Sequence, residues 1–278
     1  MNVIRAFLNL VEDKYALVGQ TRDGLRRANT QGDSLEEFVK DAFAGSLEAK
    51  SFVERERKHA ATFSYTGNSN NPPDALVRGG VAIETKKLNG SRSEIQLNSS
   101  HPKDVIYSSD SRITEQARTA ETWKEKDLVY AIGNLAGGHL KRLWMVYGDC
   151  IAASAENYES TWNIIAKLIS EDSGLNLANS NELASVRGID PQDRTKLRVR
   201  GMWILANPNV LFEELTSEES RSQFYVLLKE TTYGALPESD RRELESLTLS
   251  GLQNRIVNIP DPNNSDKEIE ARFIGYEF

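Results

Sequence analysis

The residues with the clearest chemical potential are Asp74, which follows Pro73, and the tripeptide Glu84-Thr85-Lys86 that begins ten positions later. A carboxylate at the start of one strand, with Glu-x-Lys on the next, brings hard oxygen ligands and an ammonium to one phosphodiester. Strand residues two apart share a face, so Glu84 and Lys86 project together. Asp74 and Glu84 suit Mg2+, with the backbone carbonyl of Thr85 as a further oxygen. Lys86 would hold and polarise the attacking water while the ion lowers that water's pKa and neutralises phosphate charge. Glu-x-Lys alone is a weak signal, since it also occurs as Glu12-Asp13-Lys14, Glu48-Ala49-Lys50 and Glu56-Arg57-Lys58. Those three lie in helical or charged surroundings and read as solvated ion pairs. Only Glu84-Thr85-Lys86 sits on an apolar strand behind a Pro-Asp turn. The plain alternative is an exposed hairpin strand of alternating charge.

The hairpin register decides whether this chemistry is possible. A two-residue Gly79-Gly80 turn would pair Asp74 with Thr85 and put the aspartate on the wrong face. A three-residue loop, Gly79-Gly80-Val81, would pair Asp74 with Lys86 and keep all three side chains together. Two glycines there suit a type I turn with a G1 bulge, which needs a positive φ. The site therefore requires an odd-length loop or a bulge.

The elements that must carry this hairpin are legible in outline. Apolar spacing predicts a helix over Val3 to Leu17, and Ser34 with Glu37 predicts a capped helix through Phe43 that stops at Gly45. Strands are expected at Ala61–Tyr65, Asp74–Arg78, Val81–Lys87, Asp127–Ile132, Leu143–Tyr147 and Leu197–Leu205. Asn89 to Ser111 reads as loop. Helices are expected at Thr114–Lys124, at Ala155–Ser170 with Trp162, Ile165 and Ile169 buried, over most of Val210–Lys229, and from Pro237 through Glu245. Arg255–Ile259 and Ala271–Tyr276 read as edge strands. No repeat or linker divides the chain, so one α/β domain over 1–278 is expected.

Several longer words carry a resemblance. They are Gly32 to Asp41, Phe63 to Asn68, Asn71 to Asp74, Ala82 to Lys87, Leu97 to Lys103, Met145 to Gly148 and Leu197 to Trp203. In order, they resemble the NgoPII family of type II restriction endonucleases, with the likeness fading from about residue 206. That family belongs to the PD-(D/E)xK nucleases. The resemblance implies a restriction-endonuclease-like α/β core, a central mixed β-sheet flanked by helices. It also implies Mg2+-dependent double-strand DNA cleavage leaving 5′-phosphates, a homodimer, and a GGCC-like target. Asp74, Glu84 and Lys86 fill the catalytic positions of the motif.

Other residues could contact DNA. Arg198 and Arg200 alternate on an expected strand, and the span from Arg187 to Arg200 holds five basic residues against two acids. Arginine is the usual bidentate reader of guanine, with phosphate contact or a surface ion pair as the alternatives. Asn98, Ser99, Ser100, His101 and Lys103 follow the catalytic strand and offer donors to phosphates or base edges. Glu37 could serve as an accessory carboxylate, or simply as the capping partner of Ser34. Cys150, Trp144, Trp162 and Trp203 read as packing residues.

Composition narrows the remaining choices. At 278 residues, 39% hydrophobic and 27% charged, the chain can bury a core and is not disordered. A lone cysteine excludes an internal disulfide and fits a cytoplasmic, reducing setting. No apolar stretch is long enough to span a membrane. A net charge of −7 argues against indiscriminate coating of nucleic acid, while permitting one basic face. Two rivals remain: a repair or junction-resolving nuclease of the same fold, and a catalytically silent DNA-binding or assembly protein.

Overall fold

A computed structural model describes residues 1–12, 31–67, 72–97, 100–136, 139–171, 183–187, 189–217 and 222–278. In chain order the first elements are α1 (Val3–Glu12), α2 (Gln31–Ala44), α3 (Phe52–Thr62), β1 (Phe63–Thr66), β2 (Ala75–Val77) and β3 (Ala82–Leu88). Then come β4 (Ile95–Gln96), β5 (Val105–Tyr107), α4 (Glu115–Thr119), β6 (Glu125–Ala136), β7 (His139–Tyr147) and α5 (Ala155–Glu171). They are followed by β8 (Ala184–Val186), β9 (Leu197–Val199), β10 (Ile204–Leu205), α6 (Pro208–Leu211) and β11 (Gln223–Lys229). The chain closes with α7 (Glu230–Ala235), α8 (Glu238–Ser246), β12 (Leu252–Asp261) and β13 (Asn264–Glu277).

Among the described residues, a mixed nine-stranded sheet runs β1-β2-β3-β6-β7-β11-β13-β12, with β5 beside β6. The β3/β6 and β7/β11 pairs are parallel and the other neighbours antiparallel. This is the expected α/β architecture. Its centre is dry: Val129, Ala131, Ile132, Leu143, Trp144, Met145 and Val226 are fully enclosed. Helix α1 buries Val3, Ile4, Phe7, Leu8, Leu10 and Val11, matching its predicted stripe as far as it is described. Helix α2 presses Leu35 onto Gly133 of β6, where a Cβ would come within 2.6 Å of the leucine Cδ2. The two helices thus cover one face of the sheet next to the catalytic strand.

Several expectations are corrected. Helix α2 already begins at Gln31, so Ser34 lies inside its first turns instead of capping it, whereas Gly45 ends it with φ +62° as expected. Helix α3 was not anticipated because it is mostly charged, and it starts on the Ser51 hydroxyl accepting the Glu54 N–H at 3.1 Å. The stretch read as a long helix over 210–229 contains β11, a strand buried on both faces. A continuous apolar run such as Phe224-Tyr225-Val226-Leu227-Leu228 has no alternation to distinguish it from a buried helix. Strand β13 lies inside the sheet, and only β12 of that pair is an edge. On α5, Ile165 is 42% exposed and Trp162 only half-buried, so that helix lies less deeply than its spacing suggested.

One close approach ties the far end of the sheet together. At Gly148, just after β7, a Cβ would meet the carbonyl oxygens of Lys103 at 2.2 Å and Asp104 at 2.6 Å. Both neighbours are backbone and cannot swing aside. Gly148→Ala is therefore expected to destabilise by about 1–3 kcal/mol through overpacking. A thermal melt should show a drop of several degrees, at about 2–4 °C per kcal/mol for a chain of this order of size. An unchanged midpoint would contradict this packing.

Candidate active site

The candidate hairpin is built by β2 and β3, which pair Ala75 with Ile83 and Leu76 with Ala82. One step further the ladder is irregular, because the Asp74 N–H donates to the Ile83 carbonyl at 2.9 Å and Asp74 lies just outside β2. The loop has the odd length the chemistry needs, but it is Arg78-Gly79-Gly80, one residue earlier than expected. Asp74 is instead held beside β3 by its side chain, which accepts the Thr85 N–H, and it lies near enough to feel the charges of Glu84 and Lys86. The Gly80 N–H donates to the Val77 carbonyl at 2.9 Å, and Gly79, third in that turn, has φ +61°. Positive φ at the third position is what a type II turn requires, so the expected type I turn with a G1 bulge is replaced by this simpler device. Lys126 of β6 is buried and locks the loop, donating to the carbonyls of Val77 at 3.1 Å and Gly80 at 2.7 Å. Its ammonium also meets Glu121 at 2.6 Å, and Glu121 accepts the Gly79 N–H at 3.0 Å.

Within the site, the Lys86 Nζ donates to Glu84 Oε1 at 2.7 Å, and the Thr85 N–H donates to Asp74 Oδ2 at 2.6 Å. Glu84 is only 8% exposed, yet its Oε2 is buried without a hydrogen-bond partner. An orphaned carboxylate oxygen is costly unless a donor or cation arrives. Burial, and then the nearby charges of Glu84 and Glu36, push the Asp74 carboxyl up to about 7. Burial pulls the Lys86 ammonium down, but Glu84 and Asp74 outweigh it and hold its pKa above the ordinary lysine value. Lys86 is thus a stable cation here. No cluster of three or more His, Cys, Asp or Glu able to hold a metal occurs among the described residues. Two crowded carboxylates with a spare oxygen nevertheless fit Mg2+, which commonly takes one or two protein carboxylates and completes its shell with water and phosphate.

The structure separates the other sequence candidates. Glu37 binds Arg55 and lies 3.3 Å from Lys40, and these cations outweigh its burial to hold its carboxyl below the usual range. The helix carboxylate whose charge reaches Asp74 is its neighbour Glu36, 2.5 Å from Lys40. Sequence reading missed Glu36 because spacing alone does not tell which way a helix is rotated beside the strand. Asn98 and Ser99 lie outside the described residues, and Ser100 is half-buried. Where donors to DNA were expected, His101 is 5% exposed, hydrogen-bonded through Nδ1 to the Pro102 carbonyl at 2.8 Å and stacked on Tyr158. Lys103 is paired with Asp110 at 2.9 Å. The Lys103 N–H donates at 2.9 Å to the hydroxyl of Tyr130, the residue in register with Glu84. This loop therefore braces the catalytic strand from within.

Arg198 and Arg200 are exposed, apart from the main sheet, on or just after β9, which pairs only with β8. The expected strand through Leu205 already ends at Val199, and beyond it, at Gly201, a Cβ would come within 2.5 Å of the Trp162 ring. The chain resumes as β10 against β4. A buried asparagine network also escaped sequence reading, since isolated asparagines carry no periodic signal. Asn134, Asn207 and Asn209 donate to the carbonyls of Gly90 (2.9 Å), Ser93 (2.9 Å) and Ser91 (2.7 Å), pinning the loop that leaves β3. Trp144 and Cys150 are buried, as expected of packing residues.

Residues 1–260 match the family model described as NgoPII restriction endonuclease. The matched span continues past residue 206. The chain is also 38% identical over 279 aligned residues to the type II restriction enzyme NgoPII of Neisseria gonorrhoeae, covering 99% of each. No solved structure matches it. No helix among the described residues is long and apolar enough to cross a membrane.

The raised Asp74 pKa has a definite sign in stability. The folded protein keeps this proton up to pH about 7, whereas an ordinary aspartate releases it near 3.8. Stability is therefore lost as pH rises from the lower value to the upper, and remains lost above it. Without divalent ions, Asp74→Asn is expected to melt above the wild type at pH 8. That advantage should shrink below pH 7 and vanish near pH 4. Thermal melts across this range check it, and a wild type more stable than the variant at pH 8 would overturn the electrostatic account.

Proposed function

The chain belongs to the NgoPII family of restriction endonucleases, and from that premise we propose that it cuts double-stranded DNA with Mg2+ as a homodimer, through Asp74, Glu84 and Lys86. Family membership makes it a site-specific deoxyribonuclease with DNA as substrate. The observation that supports the finer reading is the local network of these residues, with Lys86 on Glu84, Asp74 held at the Thr85 N–H within reach of both charges, and Glu84 Oε2 buried and unpaired.

Asp74 and Glu84 would hold Mg2+, with the Thr85 carbonyl as a further oxygen. When bound, the ion offsets charge developing on the phosphate and favours ionisation of water. The chain's own contribution is geometric and electrostatic. The Lys86 Nζ, fixed by Glu84, holds the attacking water's oxygen and balances negative charge in the transition state. The water oxygen bonds to phosphorus as one of its protons passes to bulk water, the P–O3′ bond breaks, and bulk water returns a proton to the departing 3′ oxygen. The products are a 5′-phosphate and a 3′-hydroxyl. Asp74 and Glu84 sit on a braced hairpin, so their positions are set before substrate arrives. His101 and Lys103 serve by holding the neighbouring loop.

Two copies related by a two-fold axis cut both strands of a symmetric site most simply. A GGCC-like target would suit arginine donors, and the exposed Arg198 and Arg200 are the residues we assign to DNA contact. Lys86→Ala is expected to slow cleavage at least about a thousandfold, about 4 kcal/mol, while duplex binding persists. Digestion of a plasmid followed by sequencing of the ends should give one discrete symmetric site with 5′-phosphates. Undiminished cutting by the variant, or scattered or structure-dependent nicks by the wild type, would refute the reading.

A further inference from the structure

A second basic feature lies at the catalytic end of the sheet. Strands β3, β6 and β7 end or begin together there, with Leu88 paired to Asn134 and Asn134 to Arg142. Because pairing partners share a face and Leu88 follows Glu84 by four residues, Asn134 and Arg142 lie on the catalytic face. Two strand spacings and four residues separate Arg142 from Glu84, about 16 Å along the sheet by ~4.8 Å per strand and ~3.3 Å per residue. A cavity of about 120 Å³ opens at this point, lined by Asn89, Ser91, Asn134, Lys141, Arg142 and Gln223 beside one leucine.

Its chemistry is selective. In a chain of net charge −7, this cavity has two cations and no carboxylate among its described lining residues. Arg142 is only 4% exposed and is held in place, its Nε donating to Gln223 at 2.5 Å and its Nη2 to the Ser217 carbonyl at 3.0 Å. Its guanidinium also sits 5.7 Å from the centre of the Tyr225 ring. Lys141, half-buried at the cavity wall, adds a mobile ammonium. The asparagine network fixes the opposite wall, since Asn134 and Asn209 hold the carbonyls of Gly90 and Ser91. A rigid guanidinium, a flexible ammonium and a pinned polar loop together form a receptor for a tetrahedral anion.

We propose that this cavity, through Lys141 and Arg142, docks a non-bridging oxygen of a DNA phosphodiester away from the scissile one. The proposal rests on the nuclease reading and extends it to a second point of backbone attachment. A duplex presents a phosphate about every 3.4 Å of axis on each strand. Several phosphates therefore lie within the ~16 Å between the two places, estimated from strand geometry. Attachment here would fix the angle at which the duplex crosses the sheet end, and it reads no bases.

The test is duplex binding without divalent ions at several salt concentrations, for the wild type, Lys141→Ala and the control Lys267→Ala. Lys267 is exposed on β13, in the stretch paired only with β12. Lys141→Ala is expected to weaken binding alike on every sequence and to reduce the slope of log K against log salt by about 0.9. Lys267→Ala should match the wild type, and melts should show all three proteins folded. Unchanged affinity and slope for Lys141→Ala, or equal losses in both variants, would overturn the proposal. So would inorganic phosphate stabilising the wild type through Lys141 with no change in DNA slope, which would assign the cavity to a free anion. A wild type that binds no duplex and cuts none with Mg2+ would instead refute the nuclease reading itself.

Discussion

The register of the β2–β3 hairpin is the constraint on which the rest depends. A slip of one residue would part Asp74 from the Thr85 N–H it accepts and from the neighbouring Glu84 and Lys86. Three features prevent it. Gly79 supplies the positive φ that the short turn needs, the turn closes from Gly80 to Val77, and buried Lys126 ties both of those carbonyls to the centre of the sheet. Lys126 in turn needs Glu121, which also holds the turn through Gly79. A buried ammonium is thus satisfied by the backbone it immobilises. Stability and catalytic geometry rest on the same contacts.

Once the register is set, the site is electrostatically unsettled by construction. Asp74 and Glu84 are close and sheltered, Glu36 adds charge from the adjacent helix, and one oxygen of Glu84 has no partner. Lys86 relieves one oxygen of the pair but not both. Burial that would favour an apolar pair instead leaves a position that welcomes a cation. An unsatisfied oxygen of this kind suits the proposed divalent ion, and the surrounding network supplies rigidity. Tyr130 anchors the loop at Lys103, and the three asparagines anchor the loop at Gly90 to Ser93.

Local chemistry was the most readable part of the sequence. Pro73-Asp74 and Glu84-Thr85-Lys86 gave the candidate site, and the structure joins Asp74, Glu84 and Lys86 in one local network, across a three-residue loop one position earlier than expected. The strands near residues 127–132 and 143–147 were visible because they are rich in β-branched and aromatic residues. The unread parts share a physical cause: they depend on burial on both faces or on contacts distant in sequence. Strand β11 has no alternation, α3 has little apolar face, and the choice of Glu36 over Glu37 is set by helix rotation. His101 and Lys103 looked like donors for DNA because their polar character was visible, whereas Tyr158, Pro102 and Asp110 as their partners were not. Gly201 was similarly silent, because the close approach of the Trp162 ring that requires a glycine there is a contact distant in sequence.

In a chain that is acidic overall, the candidate acidic pair and Lys86 sit on and beside β3 of a sheet whose centre is apolar packing. The central claim is that Asp74 and Glu84 form one divalent-ion position. Anomalous diffraction from crystals soaked in Mn2+, used in place of Mg2+, tests it most directly. The account predicts a peak within coordinating distance of both carboxylates and beside Lys86. Ordered Mn2+ elsewhere with this pair left bare would contradict it.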